Sequence, residues 1–145
     1  MDWLNIFGLI IIMLMLAPNI VYAYKNKNAV NKCTNRVMNA LEQTGRYGSM
    51  FLMVFNIGIW EFGFASKSGF LCWLMVSAIL LLAYWAFWLV YFKTPKSIFA
   101  VLLAVIPSAI FIASGLFLRH WLLVLFGCLF ACGHIYVTDK NTRAT

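Results

Sequence analysis

Five long apolar runs alternate with short polar breaks along the chain. Residues 3–24 form the first run, and a polar, basic segment over 25–46 follows it. Residues 47–64 form the second, ended by Ser66, Lys67, Ser68 and Gly69. The third, 70–92, has no charge, and Lys93, Thr94, Pro95 and Lys96 make a tight break after it. Residues 97–118 are the fourth run, Arg119 and His120 a very short turn, and 121–137 the fifth, before a polar tail. A helix of roughly 20 apolar residues is long enough to cross the hydrocarbon core of a bilayer. Backbone groups in lipid must bond within their segment or around a closed barrel. Barrel strands alternate apolar and polar positions, whereas these runs are apolar on every face. The pattern predicts an all-α transmembrane helical bundle of about five spanning helices. It forms a single integral membrane domain over residues 1–145, with no internal repeat.

Composition agrees with this reading. The 145 residues are 64% hydrophobic and 10% charged, against about 25% charged in a soluble domain. Such a chain lacks the charge to cover a water-facing surface. The net charge of +7 does not imply nucleic acid, because the basic residues sit in breaks between apolar runs. A signal peptide would begin with a basic region, but here Asp2 precedes the first run and Lys25 and Lys27 follow it. The run reads as a retained span.

Charge also gives a direction. With five spans, Lys25, Lys27, Lys32, Arg36, Arg46, Lys93, Lys96, Lys140 and Arg143 share one side, and only Lys67 and Arg119 face the other. Basic loops stay cytoplasmic, so the N-terminus is expected outside and the C-terminus in the cytoplasm. Trp3, Trp60, Trp73 and Trp121 fall at the expected outer ends. Tyr22, Tyr24, Tyr47, Trp88, Tyr91 and Tyr136 fall near the inner ends. Two aromatic belts are what interfacial anchoring produces. The weakest joint is Arg119-His120: were it inside one tilted helix, there would be four spans and the C-terminus would change sides.

The basic segment has structure of its own. Thr34 or Asn35 can cap a helix, and Val37, Met38 and Leu41 then share a face. Glu42 and Arg46 stand at i and i+4, acid first, which is the favourable order. Span two is therefore open to an early, amphipathic start on the cytoplasmic surface, with Gly45 and Gly48 where it turns into the membrane. Glu42, Gln43 and Arg46 are candidates for a cytoplasmic gate or a headgroup contact, or simply for a helix-starting ion pair.

Within the spans, Asn19, Asn56, Ser108 and His134 are the candidate pathway residues. A carboxamide or imidazole in hydrocarbon must find a partner, so each either lines a path or ties two helices. Pro18 and Pro107 are helix breaks, Pro107 freeing the carbonyl of Leu103. Broken helices build midplane sites in many transporters, although prolines also merely bend helices. Cys128 and Cys132, with Gly127 and Ala131, are small residues four apart, as are Ala104/Ser108 and Ala109/Ala113; such pairs let helices approach. Cys33, Cys72, Cys128 and Cys132 do not form a disulfide framework. No catalytic motif, metal set or cofactor loop stands in the sequence, so no catalytic residue, no metal and no cofactor is expected.

Several stretches carry a resemblance: residues 17–25 (APNIVYAYK), 41–48 (LEQTGRYG) running into Asn56, Ile106 to Ser108 with Ser114 and Gly115, and 133–135 (GHI). Together they resemble uncharacterised small polytopic membrane proteins of low-GC Gram-positive bacteria. The resemblance implies a polytopic bacterial membrane protein and no particular activity. It ranks Glu42, Arg46, Asn56, Pro107 and His134 above the other polar positions.

Three functions follow as expectations. The first is permeation or transport of a small molecule or ion, with this short chain acting as an oligomer or a subunit. The second is a non-catalytic accessory, immunity or scaffold protein binding another membrane protein. The third, weakest, is a lipid-directed enzyme with Glu42, Arg46 and His134 at one interface. The expected partners are the lipid bilayer and a second copy or another membrane protein.

Overall fold

The computed structural model describes residues 3–27, 30–57 and 63–143. Asp2 and Trp60, singled out above, lie outside them. Five helices follow one another: α1 (Ile6–Lys25), α2 (Arg36–Val54), α3 (Lys67–Lys93), α4 (Ser97–Phe117) and α5 (Trp121–Arg143). Four of them, α1, α3, α4 and α5, are long and apolar enough to cross a membrane.

Local chemistry sets the helix ends. The Asn5 side chain accepts from the Gly8 N–H at 3.0 Å, Asn35 from Val37 and Met38, and Ser66 from Gly69 at 3.0 Å. Each occupies donors that a helix start leaves open. Lys25, Lys93, Lys140 and Arg143 sit in last turns, where cations oppose the carbonyl end of the helix dipole. Pro95 follows the end of α3 and cannot continue it.

Two expectations need correction at α2. The second span was expected at 47–64 and a basic loop at 25–46; the helix covers Arg36–Val54 instead. Asn35 caps it about ten residues earlier than hydropathy suggested. Glu42, Gly45, Ser49, Leu52 and Met53 are all buried, and their spacing places them along one stripe. The chain leaves the helix after Val54 because its backbone finds another partner. Asn5 N–H donates to Val54 C=O at 2.7 Å, Asn56 N–H donates to Trp3 C=O at 2.9 Å, and Leu4 and Phe55 form an antiparallel bridge. Asn56 therefore lies beyond the helix, not at the middle of a span. At the other terminus α5 runs on to Arg143, so the polar tail is mostly helical.

Successive helices run antiparallel. The start of α1 meets the end of α2 through the contacts just given, and Phe7 packs edge-on to Phe70 at the start of α3. At the opposite, basic end, Tyr22 packs with Trp88, Tyr91 and Phe92. There Asn141 Oδ1 also accepts from the backbone N–H groups of Lys32 and Cys33. The most extensive contacts are α2 with α5 and α4 with α5, while α1 stands at the margin against α2 and α3.

Glycine makes the first two contacts possible. A Cβ on Gly45 would overlap the backbone of Phe130, one on Gly133 the backbone of Glu42, and one on Gly48 the Phe126 ring. A Cβ on Gly115 would meet Val124 N at 2.8 Å, and one on Gly127 would meet Ile112 at 3.0 Å. Such close backbone approach lets dispersion contacts accumulate between the helices. Gly45 and Gly48 are thus contact residues and not the bend where α2 enters the membrane. Cys128 and Cys132 are exposed on α5, and their small size serves no contact here. Trp73 is fully buried and donates its indole N–H to Ser114 Oγ at 2.9 Å. It ties α3 to α4 instead of anchoring in an outer belt, whereas Trp3 and Trp121 are exposed.

Arg119-His120 is a true break. Arg119 adopts φ 54° and ends α4, and its guanidinium donates to Gly63 C=O. His120 is buried; its Nδ1 accepts from Leu123 N–H at 2.9 Å, so the ring is neutral with Nε2 placed to donate to Ile57 C=O at 3.1 Å. Burial holds its pKa below the ordinary histidine value. A base depressed in the folded state contributes stability that is present above its unfolded pKa of about 6.5 and lost as pH falls below it. The unfolding midpoint in detergent should therefore drop on acidification from pH 7 to 5, and His120→Gln, which keeps a donor and an acceptor, should flatten that slope.

Candidate functional site

The densest polar cluster is built where α2 and α5 touch through Gly133. Without a side chain at that position, the backbone of α5 lies directly on Glu42. The next position, His134, then projects its ring onto the Glu42 carboxylate. His134 Nδ1 stands 2.9 Å from Glu42 Oε1, and the Arg46 guanidinium, one turn along α2, donates to the same oxygen. The Glu42 side chain is 7% exposed, that of His134 22% and that of Arg46 34%. Glu42 is thus the buried centre, and its two partners are reachable from outside.

Phe130 frames the group. Its ring stacks on His134 with centroids 4.6 Å apart and planes 14° apart, and the Arg46 guanidinium carbon lies 5.9 Å from its centroid. An aromatic face favours a cation beside it, so Phe130 holds Arg46 near Glu42. Ser49, one turn further along α2, is fully buried, and its hydroxyl finds no hydrogen-bond partner among the described residues.

A second polar pair joins α1 to α3. Tyr84 is almost fully buried on α3. Its hydroxyl accepts from the Asn19 carboxamide at 2.8 Å, and Asn19 also donates to Met15 C=O. Asn19, Glu42, Arg46, Tyr84 and His134 stand six to ten residues in from the basic ends of their helices. At 1.5 Å per residue this is roughly 9–15 Å of depth. They form one polar layer across four helices.

The other sequence candidates fall outside the layer. Ser108 is buried but donates to Ala104 C=O on its own helix at 3.0 Å, and Pro107 beside it is buried in α4. Asn56 belongs to the opposite end of the bundle. Gln43 is exposed. Pro18 does break the bonding of α1, and the Leu14 carbonyl it frees accepts from the Trp85 indole at 3.0 Å. The four pathway candidates therefore do not meet: Asn19 pairs with Tyr84 and His134 with Glu42 at one depth, while Asn56 and Ser108 lie elsewhere. Tyr84 was missed because an apolar run hides a tyrosine among its neighbours, and only a facing Asn19 gives its hydroxyl a role.

A carboxylate, an imidazole and a guanidinium in contact can bind and pass a proton, or hold a small polar or anionic solute. Among the described residues no group of three His, Cys, Asp or Glu is placed to hold a metal ion. No protein-family model, curated protein or solved structure matches the chain.

Proposed function

We propose that this protein is a five-pass integral membrane protein of a bacterial plasma membrane, with its N-terminus outside and its basic end in the cytoplasm. It acts as a permeation subunit for a small polar solute or ion. The observation that carries this reading is the Glu42–Arg46–His134 contact within a polar layer that reaches Asn19 and Tyr84. Ionisable groups at membrane depth cost several kcal/mol unless paired, and they mark pathways by default. In this reading α2 is the fifth crossing, its polar residues tolerated because α5 covers them. One chain of this size encloses little, so the path forms between copies or with a partner.

Reconstituted proteoliposomes test this. Purified protein should conduct protons, small ions or polar solutes in a flux panel, and Glu42→Gln should cut that flux at least tenfold with the protein still inserted. Crosslinking in native lipid should capture a second copy or a partner. A monomer with no partner, and no flux above empty vesicles, would sink the reading.

The positions of Asn56 and Ser108 favour a second reading, a non-catalytic accessory or scaffold protein. Their polar groups serve backbone ends and helix interiors instead of a path. Affinity purification in mild detergent followed by reconstitution separates the two readings, since the scaffold yields a stoichiometric membrane-protein partner and no flux above empty vesicles, whereas the permeation unit conducts.

A further inference from the structure

A second feature lies away from the polar layer, in the outward cleft between α1 and α3. Its volume is about 220 Å³, and Ala17, Pro18, Val21, Trp85, Trp88, Leu89 and Phe92 line it. The run from Trp85 to Phe92 is about 10 Å along the helix. Two contacts hold the cleft in shape. The Trp85 indole is fixed by its bond to the Leu14 carbonyl that Pro18 leaves free, and Asn19 bonds to Tyr84 behind it. The Trp88 indole nitrogen is buried with no hydrogen-bond partner among the described residues, and the walls present almost only carbon.

The mouth is chemically different. Phe92, the last wall residue, carries the Lys25 ammonium 4.8 Å over its ring. Lys27 and Lys93 lie at the same end, and neither α1 nor α3 contains an acidic residue. An apolar slot about 10 Å long with an ammonium at its basic end matches an amphiphile with a hydrocarbon tail and an anionic head. The geometry points to one occupant: an anionic phospholipid, with one acyl chain against Trp85 and Trp88 and its phosphate on Lys25. A zwitterionic lipid offers the same chain but no net charge for Lys25, so the site discriminates by head group. The site rests on the membrane placement proposed above but not on permeation.

Native mass spectrometry of the full chain, extracted from membranes in mild detergent, tests it. The protein is offered equal amounts of dioleoylphosphatidylglycerol and dioleoylphosphatidylcholine. One phosphatidylglycerol should be retained in clear preference. Lys25→Gln should reduce that preference about fivefold, the effect of one basic residue near an anionic surface. Ala17→Phe, which fills the slot, should displace both lipids, while Met13→Phe on an exposed part of α1 should change nothing. Val21→Phe serves in place of Ala17→Phe if that variant fails to fold by circular dichroism. Equal retention of the two lipids, or retention unchanged in the slot-filling variants, would overturn the site while leaving the polar layer untouched. Recovery of the chain in the aqueous fraction would instead remove the membrane placement on which both readings rest.

Discussion

Gly133→Leu should separate α5 from α2 and give the largest loss of stability of any single substitution in the bundle. Even a Cβ at this position overlaps the backbone nitrogen and Cα of Glu42, and helix backbones cannot move aside as a flexible side chain can. Overpacking of this kind costs about 3 kcal/mol, roughly 10 °C in the unfolding midpoint of a chain this size. Gly45→Leu should behave alike, because its neighbour is the Phe130 backbone. Gly69→Ala provides the contrast: only Ser66 Oγ lies near, at 3.5 Å, so this change should be neutral or slightly stabilising through helix propensity. Thermal unfolding in detergent, followed by circular dichroism, measures all three. Equal midpoints for the Gly133 and Gly69 variants would show that close approach does not hold α2 to α5.

Glu42→Leu is the second substitution with a large expected effect. It leaves Arg46 and His134 without the oxygen they share. Breaking a fully buried pair costs about 3–5 kcal/mol. The partial exposure of Arg46 lets water recover part of that, leaving about 2 kcal/mol and a midpoint lower by roughly 5 °C. Replacing both members as Glu42→Leu with Arg46→Met should restore much of the loss, because an apolar pair of similar volume needs no counter-charge. Flux should not return with it, since the proposed site needs the charges. Recovered stability without recovered flux separates a structural role from a functional one. A double variant no more stable than the single would mean the ion pair is not the reason Glu42 matters.

The site residues were only partly legible in the sequence. Glu42 and Arg46 pair at i, i+4 as their spacing requires, and Asn35 caps their helix as a capping side chain would. His134 was visible as an imidazole inside an apolar run, but its partner lies 92 residues away, beyond any local pattern. Asn56 and Ser108 misled for a related reason. Hydropathy marks depth along a run, not the direction a side chain faces or the point where a helix stops.

The sequence by itself determined the class: long all-round apolar runs in a weakly charged chain form helices, four of them long and apolar enough to cross a membrane. It also determined the breaks at Ser66, at Pro95 and at Arg119-His120, because caps, proline and charge act over a few residues. Tertiary structure decided where α2 ends, because its chain leaves the helix after Val54 to pair with the segment before α1. It also decided which glycines matter. A glycine looks the same in every sequence window, and only the partner helix shows that Gly45 and Gly133 stand where two backbones touch. Finally, it decided that Glu42, Arg46 and His134 are one site, because a contact between distant helices is set by the packing of the whole bundle.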